Sequence, residues 1–467
     1  MNTTNNIIND PADKLPLSLL INELKNENPG FTFNELRSEL MKTVPSDDPN
    51  NNVPFYHINI KETDDLCILY YNDPPTISDT RNKKLLDLER SCRSVILDKN
   101  NLKIIGSQFN RIIYNDEGIE YVKNVDWNNV VVQKCYEGTI LLVFNHNGVW
   151  YVSTRRCIKS EESSWIKGKT YREMFDESIK NKFTLESLNP NLCYHFVLVH
   201  HKNKNIVNYS DLGDEYAEIY HILTTEKYTL NEVNIDIPGA VKVAEEQFEN
   251  LNSLLNNLNA ISQSDEANYK ITSEGYVLRV YNEGNKYKSL FTVVKLQTAI
   301  YQSLLAMKPN NNNIYQSYLE LYQSDKLMDF LPYFNKYSTD IVKRIHTSMK
   351  NMAKEMLDLY HSTRKKKNGQ LYSKLTDQYK KVLYALHGIY IQQRKSDFVD
   401  GEQDSDKLAK SINVHNVYHY LKSLPPRELR QLYFDRTKLI EDASNQFINK
   451  NCIYTKTQCT LMFATNN

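Results

Sequence analysis

The β-prone part of the chain contains, in order, a lysine, a glutamate-glycine pair, a second glutamate-glycine pair and a second lysine. The first pair lies in Lys134-Cys135-Tyr136-Glu137-Gly138-Thr139, directly before the apolar run at residues 140–144. A polar turn at 145–148 then joins this run to a second β-prone run, which ends near Arg155-Arg156. Two β-prone runs joined by a short polar turn predict a β-hairpin. The predicted hairpin has a lysine near one end and two arginines near the other.

The downstream part of this pattern supplies a carboxylate and another cation. It reads Ser273-Glu274-Gly275-Tyr276-Val277, with Lys295 following in the next β-prone run. A lysine amine attacks the α-phosphate of a nucleotide only when the amine is partly deprotonated and the phosphate charge is neutralised. Neighbouring cations favour both conditions, because they lower the pKa of the amine and bind the triphosphate. The order of residues is therefore what a covalent nucleotidyltransferase requires.

At these residues the chain resembles the covalent nucleotidyltransferases, and most closely the phage-type RNA ligase 1 family. The resemblance covers about residues 85–300, with its segments in family order. The other matching segments are Ser91-Cys92-Arg93-Ser94-Val95, Phe109-Asn110-Arg111-Ile112-Ile113 and Tyr194-His195-Phe196-Val197. The resemblance implies an α+β fold, in which a β-rich nucleotidyltransferase domain of the ATP-grasp-like ligase type precedes an all-α C-terminal domain.

The resemblance also implies an activity and a set of site residues. The activity is ATP-dependent joining of RNA 5′-phosphate and 3′-hydroxyl ends through a lysyl-AMP intermediate, in repair or processing, with ATP and Mg²⁺ as cofactors. Lys134 is the predicted nucleophile, Glu274 and Lys295 are the other predicted catalytic residues, and Glu274 is also the predicted metal ligand. The predicted cofactor-binding residues are Arg93, Gln133, Glu137, Gly138, Arg155 and Arg156. Arginine suits this role because its planar guanidinium binds phosphate oxygens in pairs.

Three departures from the family pattern favour a second interpretation. Lys134 precedes Gly138 by four residues where the family has three, so strict register puts Cys135 at the nucleophile position. Strand side chains alternate between faces, so Lys134 would point away from the pocket unless a β-bulge near Cys135 absorbs the shift. His195 and Gln297 stand where the family has a glutamate and a lysine. We predict the bulge; the alternative is a catalytically degenerate nucleotide- or RNA-binding module, or a structural interaction protein, on the same fold.

The periodicity of the sequence predicts three regions. Residues 1–50 form a partly helical N-terminal arm, residues 51–308 a β-rich region and residues 309–467 an α-helical domain; the resemblance implies that residues 51–308 are the RNA-ligase-like nucleotidyltransferase domain. Short alternating runs separated by turns predict strands up to Gln297, and apolar residues three or four apart predict helices after it. The predicted strands are 66–71, 95–97, 130–132, 140–143, 150–153, 195–199, 218–223 and 276–280. One helix, at 244–258, is predicted to interrupt them.

Composition narrows the class of protein without selecting a function. A chain of 467 residues with 40% hydrophobic residues is long enough to form more than one buried core. The charges balance at 57 basic and 57 acidic residues, so any affinity for RNA must come from local patches. Seven cysteines without a Cys-x-x-Cys pair predict reduced thiols. No apolar run of membrane-spanning length and no signal peptide are evident, so we expect a cytoplasmic protein that does not bind membranes; the oligomeric state stays open.

Guanylyl transfer to RNA ends, as in the related capping enzymes, is a third possibility. Those enzymes carry an additional C-terminal β-barrel, and the last third of the sequence has a helical pattern with no candidate for one. The first two interpretations therefore remain the main alternatives.

Overall fold

The structure is a computed structural model, and it describes residues 10–45, 52–74, 79–203, 205–281, 286–308, 314–334, 339–365, 369–399 and 411–445. The chain divides into two compact units, Met1–Ser303 and Leu304–Asn467. All the described strands lie in the first unit, and the described part of the second unit is helical. The predicted fold class, α+β followed by all-α, is thus confirmed. The predicted domain boundary at residue 309 lies outside the described residues and stays a prediction.

The strands and helices are numbered in chain order. The strands are β1 Thr43–Pro45, β2 Asn52–Pro54, β3 Asn59–Glu62, β4 Leu66–Tyr70, β5 Val95–Asp98, β6 Ile104–Ser107, β7 Ile113–Tyr114, β8 Val130–Cys135, β9 Thr139–His146, β10 Val149–Ser153, β11 Leu192–His200, β12 Ala217–Glu226, β13 Val241–Lys242, β14 Glu245–Glu246, β15 Gly275–Tyr281 and β16 Phe291–Gln297. The helices of the first unit are α1 Pro16–Glu27, α2 Phe33–Leu40, α3 Lys83–Ser91, α4 Asn115–Val122, α5 Tyr171–Ile179 and α6 Leu251–Asn268, and α7 Ala299–Met307 crosses into the second unit.

Two five-stranded sheets position the candidate site. The first five-stranded sheet has the strand order β10-β9-β11-β12-β13, and the second has the order β14-β8-β15-β16-β7. A four-stranded sheet, β3-β4-β5-β6, and the pair β1-β2 complete the described sheets. In the first five-stranded sheet, β9 and β10 form the predicted hairpin, with Val149 paired to His146. Its turn residues Asn147 and Gly148 have φ values of 52° and 82°, which asparagine and glycine adopt most readily.

Each large sheet buries an apolar face against helices. On the second five-stranded sheet, Val130, Val132 and Leu278 pack against Leu254 and Leu258 of α6. The first five-stranded sheet packs against α5 through residues that include Met174 and Phe175. The four-stranded sheet packs against α1, α2 and α3 on one side, and against strands β9 and β11 on the other. The faces of the two five-stranded sheets that carry no helix are left to line the candidate site.

Helix α6 begins later than the sequence predicted. Residues 245–246 form β14, which pairs with β8, so the predicted helix start at residue 244 is wrong. The helix begins after Asn250, whose side chain accepts a hydrogen bond from the backbone N–H of Ser253 and so satisfies a free donor of the first turn. The N-cap at Asn250 therefore sets the start of α6, whereas the spacing of apolar residues used for the prediction continues N-terminal to it.

The second unit is built from helices around a methionine- and leucine-rich core. Its remaining helices are α8 Ile314–Gln323, α9 Leu327–Phe334, α10 Thr339–Tyr360, α11 Gly369–Lys374, α12 Asp377–Val399, α13 Val414–Ser423 and α14 Pro426–Asn445. Met349, Met352 and Met356 of α10 are fully buried, and a buried ion pair joins Glu355 to Arg436 at 2.7 Å. Among the described helices, none combines the length and apolar character needed to cross a bilayer.

Candidate nucleotide-binding cavity

A cavity of about 630 Å³ is lined by residues from both five-stranded sheets, a volume typical of small-molecule sites. The first sheet contributes the apolar side chains of Val197, Ile222 and Leu223. The second contributes Val277 and Val293. Apolar surfaces contributed by two sheets suit a flat heteroaromatic base, and the remaining lining carries the charged groups described next.

Cys135, and not Lys134, faces this cavity. Strand β8 pairs with β15 without a register shift, from Val130 opposite Val280 to Cys135 opposite Gly275. Regular pairing preserves the alternation of side chains, so Gln133 and Cys135 share one face of β8. The predicted bulge near Cys135 is therefore wrong, because the strand keeps its pleat to its last residue. Register shifts occur in other strands, in β11 between His195 and Phe196 and in β5 between Ile96 and Leu97.

Lys134 lies on the other face of β8. This is the face on which Val130 and Val132 pack against α6. The Lys134 side chain is exposed, and its Nζ lies 5.6 Å from the centroid of the Tyr136 ring. Lys134 is nevertheless among the residues that line the cavity. The geometry that the sequence predicted, with the Lys134 amine in the pocket beside Glu274, is not formed.

Glu274 accepts hydrogen bonds from three neighbours in a buried network. Its Oε1 lies 2.5 Å from Nζ of Lys295 and 2.8 Å from Nε2 of Gln297, and its Oε2 lies 3.3 Å from Sγ of Cys135. Glu274 is 2% exposed. Burial and the Glu274 carboxylate raise the pKa of Cys135, so the thiol is protonated and donates. Burial opposes the charge on Lys295, but the Glu274 carboxylate at 2.5 Å stabilises this charge, and the pKa of the amine is raised.

Gly275 allows the two strands of this network to approach closely. It has a φ of 139°, and a Cβ at this position would lie 2.0 Å from the carbonyl oxygen of Leu296. Only glycine fits such a contact. Gly275 thus brings the Glu274 carboxylate, at the start of β15, beside Lys295 and Gln297 on β16.

Three arginines form a separate cationic part of the lining. Arg93 donates to the carbonyl oxygen of Gln108 at 3.0 Å, and Arg155 donates to that of Asn72 at 2.9 Å. Arg156 donates to the same Asn72 oxygen at 3.3 Å. Burial lowers the pKa of Arg155, and repulsion from Arg156 and Arg93 lowers it further. Within the described residues, none of the three arginines forms an ion pair, so their charge is available to an anion.

Glu137 and Gly138 have structural roles in the turn after β8. The Glu137 carboxylate accepts hydrogen bonds from the backbone N–H groups of Ile206 and Val207, at 2.6 and 2.7 Å. It does not line the cavity, so the structure does not bring it to the nucleotide as the sequence analysis expected. Gly138 does line it, and a Cβ there would lie 2.4 Å from the carbonyl oxygen of Leu198.

Two further lining residues are polar and buried. Gln133, predicted from the sequence, is anchored by a hydrogen bond from its Nε2 to the carbonyl oxygen of Val243 at 3.1 Å. Arg279 was not predicted; it is 5% exposed, and its guanidinium lies 3.6 Å from the carboxylates of Glu232 and Glu245. Alternation along β15 gives a signal for Arg279, since it shares a strand face with Gly275 and Val277.

His195 is a core residue. It is 1% exposed, its Nε2 lies 2.9 Å from the carbonyl oxygen of Ser107, and its ring stacks on Phe109 with centroids 5.3 Å apart. Burial lowers its pKa to about 4, so the ring is neutral at neutral pH. It does not line the cavity. The interpretation of His195 as a hydrogen-bonded core histidine agrees with this environment.

The predicted Mg²⁺ site does not fit the residues around Glu274. Mg²⁺ requires oxygen ligands in octahedral geometry at about 2.1 Å. The Glu274 carboxylate already contacts an ammonium, an amide and a thiol, and Asp73 is the one acidic residue among the described residues that line the cavity. No group of three potential metal ligands occurs in the described part of the chain. ATP fits better, because the lining offers both apolar surfaces and unpaired cations.

Comparisons with known proteins return distant structural likenesses. No protein-family model and no curated protein sequence matches the chain. Two solved structures described as an archaeal ATP-dependent RNA ligase, forms 1 and 2, are similar to it with 12% and 11% identity and TM-scores of 0.37 and 0.38. The first match covers 63% of this chain and 76% of the ligase, and the second covers 70% and 82%.

A third similar structure is a putative ATP-dependent DNA ligase from Aquifex aeolicus, with 15% identity and a TM-score of 0.36. It covers 64% of this chain and 78% of the ligase. Likenesses of this strength carry no argument about activity. Membership of the phage-type RNA ligase 1 family stays a prediction, and the function proposed below depends on the cavity itself.

Proposed function

We propose that this protein binds ATP noncovalently in the cavity between the two five-stranded sheets. One observation carries the proposal: Cys135 occupies the cavity-facing position that the resemblance assigns to a nucleophilic lysine, and the Lys134 side chain lies on the opposite face. Arg93, Arg155, Arg156 and Lys295 would bind the phosphates, and the apolar side chains of both sheets would enclose the base. This is the catalytically degenerate alternative of the sequence analysis.

The chemistry of the cavity supports binding over self-adenylylation. Formation of lysyl-AMP requires a neutral amine that attacks the α-phosphorus while pyrophosphate leaves. Lys295 is the lysine whose amine faces the cavity among the described residues, and its raised pKa keeps this amine protonated beside Glu274. A protonated amine has no lone pair for attack, whereas it remains a good partner for phosphate oxygens.

RNA strand joining is the second candidate function. The observation that favours it is the convergence of Arg93, Gln133, Gly138, Arg155 and Lys295 on one cavity, as the resemblance implied. It would require Lys134 to reach the α-phosphate from the far face of β8. RNA ends would then be the substrates, with AMP passed to the 5′-phosphate before the 3′-hydroxyl attacks.

Incubation with ATP labelled at the α-phosphate separates the two candidates. We expect wild-type protein to bind ATP at equilibrium and to show no labelled band on a denaturing gel, and we expect Lys134→Ala to behave in the same way. A labelled band in wild type that is absent from Lys134→Ala would establish strand-joining chemistry and overturn the noncovalent proposal.

The arginine cluster provides a quantitative test of ATP binding. A hydrogen bond to a charged group contributes about 1.5–3 kcal/mol, so Arg155→Gln should weaken ATP binding by about tenfold or more. The matched control is Arg172→Gln, because Arg172 of α5 pairs with Glu161 and Asp176 and is not among the residues that line the cavity. Equal affinities for Arg155→Gln and wild type would contradict the assignment of the phosphates to this cluster.

A further inference from the structure

The charge distribution of the cavity differs from that of a metal-nucleotide site. Its lining includes Arg93, Arg155, Arg156, Arg279 and Lys295. Asp73 is the one acidic residue in the described lining. Sites that bind Mg²⁺ together with a nucleotide supply one or two carboxylates for the metal, and the phosphates supply further oxygens. The described lining supplies one such carboxylate, Asp73, against the five cationic side chains named above.

The Glu274 carboxylate, which contacts the cavity-lining Lys295, is already neutralised. Lys295 contacts Glu274 at 2.5 Å, and both side chains are largely buried, at 19% and 3% exposed. A metal ion on Glu274 would have to displace this ammonium or lie beside it. Two cations next to one buried carboxylate repel each other strongly, since the surroundings screen charge less than water does.

Gln297 makes the arrangement around Glu274 a fixed one. Its Nε2 donates to the Glu274 carboxylate at 2.8 Å. Its Oε1 accepts from Nδ2 of Asn115 at 3.1 Å, and its backbone N–H donates to Oδ1 of the same asparagine at 3.0 Å. These two contacts hold the amide so that its donor side faces Glu274. Withdrawing Glu274 to ligate a metal would therefore break a connected set of hydrogen bonds.

We propose that the cavity binds ATP without a divalent cation, with the arginines and Lys295 providing the positive charge that Mg²⁺ provides in metal-dependent sites. The inference rests on the proposed function and specifies the ligand as the metal-free nucleotide. Mg²⁺ neutralises part of the triphosphate charge, so the free nucleotide is the better partner for a cavity lined by cations. Binding should be at least as tight in excess EDTA as in excess Mg²⁺.

Calorimetric titration of the full-length protein with ATP in the two buffers tests the proposal directly. We expect the dissociation constant in EDTA to equal or fall below that in Mg²⁺. We expect Glu274→Gln and Asp73→Asn to keep this metal independence, and Glu274→Gln to bind ATP as tightly as wild type or more tightly, since it removes a negative charge beside Lys295. Circular dichroism of each variant verifies that it is folded. The comparison of EDTA with Mg²⁺ on the wild-type protein does not depend on the folding of any variant.

Two results would overturn the inference, and they have different meanings. Binding that needs Mg²⁺, or that Mg²⁺ tightens by more than about threefold, would refute metal independence and leave ATP binding intact. If Glu274→Gln or Asp73→Asn then abolished the tightening by Mg²⁺, that variant would identify the carboxylate that binds the metal. Absence of binding in both buffers would overturn both this inference and the proposed function.

Discussion

Replacing Lys295 with methionine should destabilise the first unit by leaving Glu274 as a buried, uncompensated anion. Removal of one partner of a buried ion pair typically costs 3–5 kcal/mol. Glu274 keeps its hydrogen bonds from Gln297 and Cys135, so we expect the lower end of this range, about 3 kcal/mol. Glu274→Gln should cost less, about 1.5 kcal/mol or below, because the amide still accepts hydrogen bonds and Lys295 is partly exposed.

The double variant distinguishes the ion pair from simple packing. When Glu274 is already glutamine, Lys295→Met no longer leaves a buried carboxylate without a partner. The double variant should therefore be more stable than Lys295→Met alone by about 2 kcal/mol. Urea unfolding monitored by circular dichroism measures these differences, and 3 kcal/mol corresponds to a midpoint shift of about 1 M. The double variant should still bind ATP more weakly than wild type, since the phosphate partner is gone.

Two outcomes would refute this reasoning. One is a Lys295→Met midpoint within about 0.2 M of wild type, which would mean that Glu274 is not a buried anion in solution. The other is a double variant no more stable than Lys295→Met, which would assign the loss to the packing of the lysine stem rather than to charge.

Two further predictions concern a glycine and a histidine. Gly275→Ala should lower the free energy of unfolding, measured in urea, by at least about 3 kcal/mol. Gly148 also has a positive φ, but no atom lies within 4 Å of an added Cβ, so Gly148→Ala should lower this free energy by only about 1 kcal/mol. Similar losses in the two variants would contradict the close approach of the strands at Gly275. Burial lowers the pKa of His195 to about 4 from the usual value near 6.5, so its folded form binds a proton less readily than its unfolded form. The contribution of the neutral His195 ring to the free energy of unfolding is therefore complete above about pH 6.5 and is lost as the pH falls towards 4. At pH 5 the loss is about 2 kcal/mol. In unfolding measured at pH 7 and pH 5, His195→Gln should reduce this loss and exposed His415→Gln should not; equal pH dependence in all three proteins would disprove the assignment.

Short β-prone runs were enough to predict eight of the strands, but β16 was not among them. All eight predicted strands occur, and the hairpin turn at Asn147-Gly148 lies where the polar residues indicated. Helix α9 contains Pro332, a residue that weakens the helical pattern of its sequence. Local pattern therefore predicts elements well where burial sets the period, and less well where tertiary packing tolerates an unfavourable residue.

The candidate site was predicted only in part, because its decisive feature is a strand register. Arg93, Arg155 and Lys295 line the cavity as expected; Arg93 precedes β5 and Arg155 follows β10, and both of these strands were predicted. Whether Lys134 or Cys135 faces the cavity depends on one residue of register, which pairing with β15 determines and the β8 sequence alone does not. The role of Glu137 depends on backbone N–H groups about seventy residues away, which no local motif can indicate.

Because Cys135, Lys295 and Gln297 all donate to the Glu274 carboxylate, the effect of a substitution at one of these positions depends on the residues at the other two. A lysine introduced at position 135 would place a second ammonium beside Lys295 against a single carboxylate, and would be disfavoured while Gln297 also occupies that carboxylate. A lysine at position 297 would meet the same crowding. We therefore expect substitutions at positions 135, 295 and 297 to be epistatic, so that no single change converts this cavity into an adenylylating one, and a lineage with Cys135 in place tends to keep it.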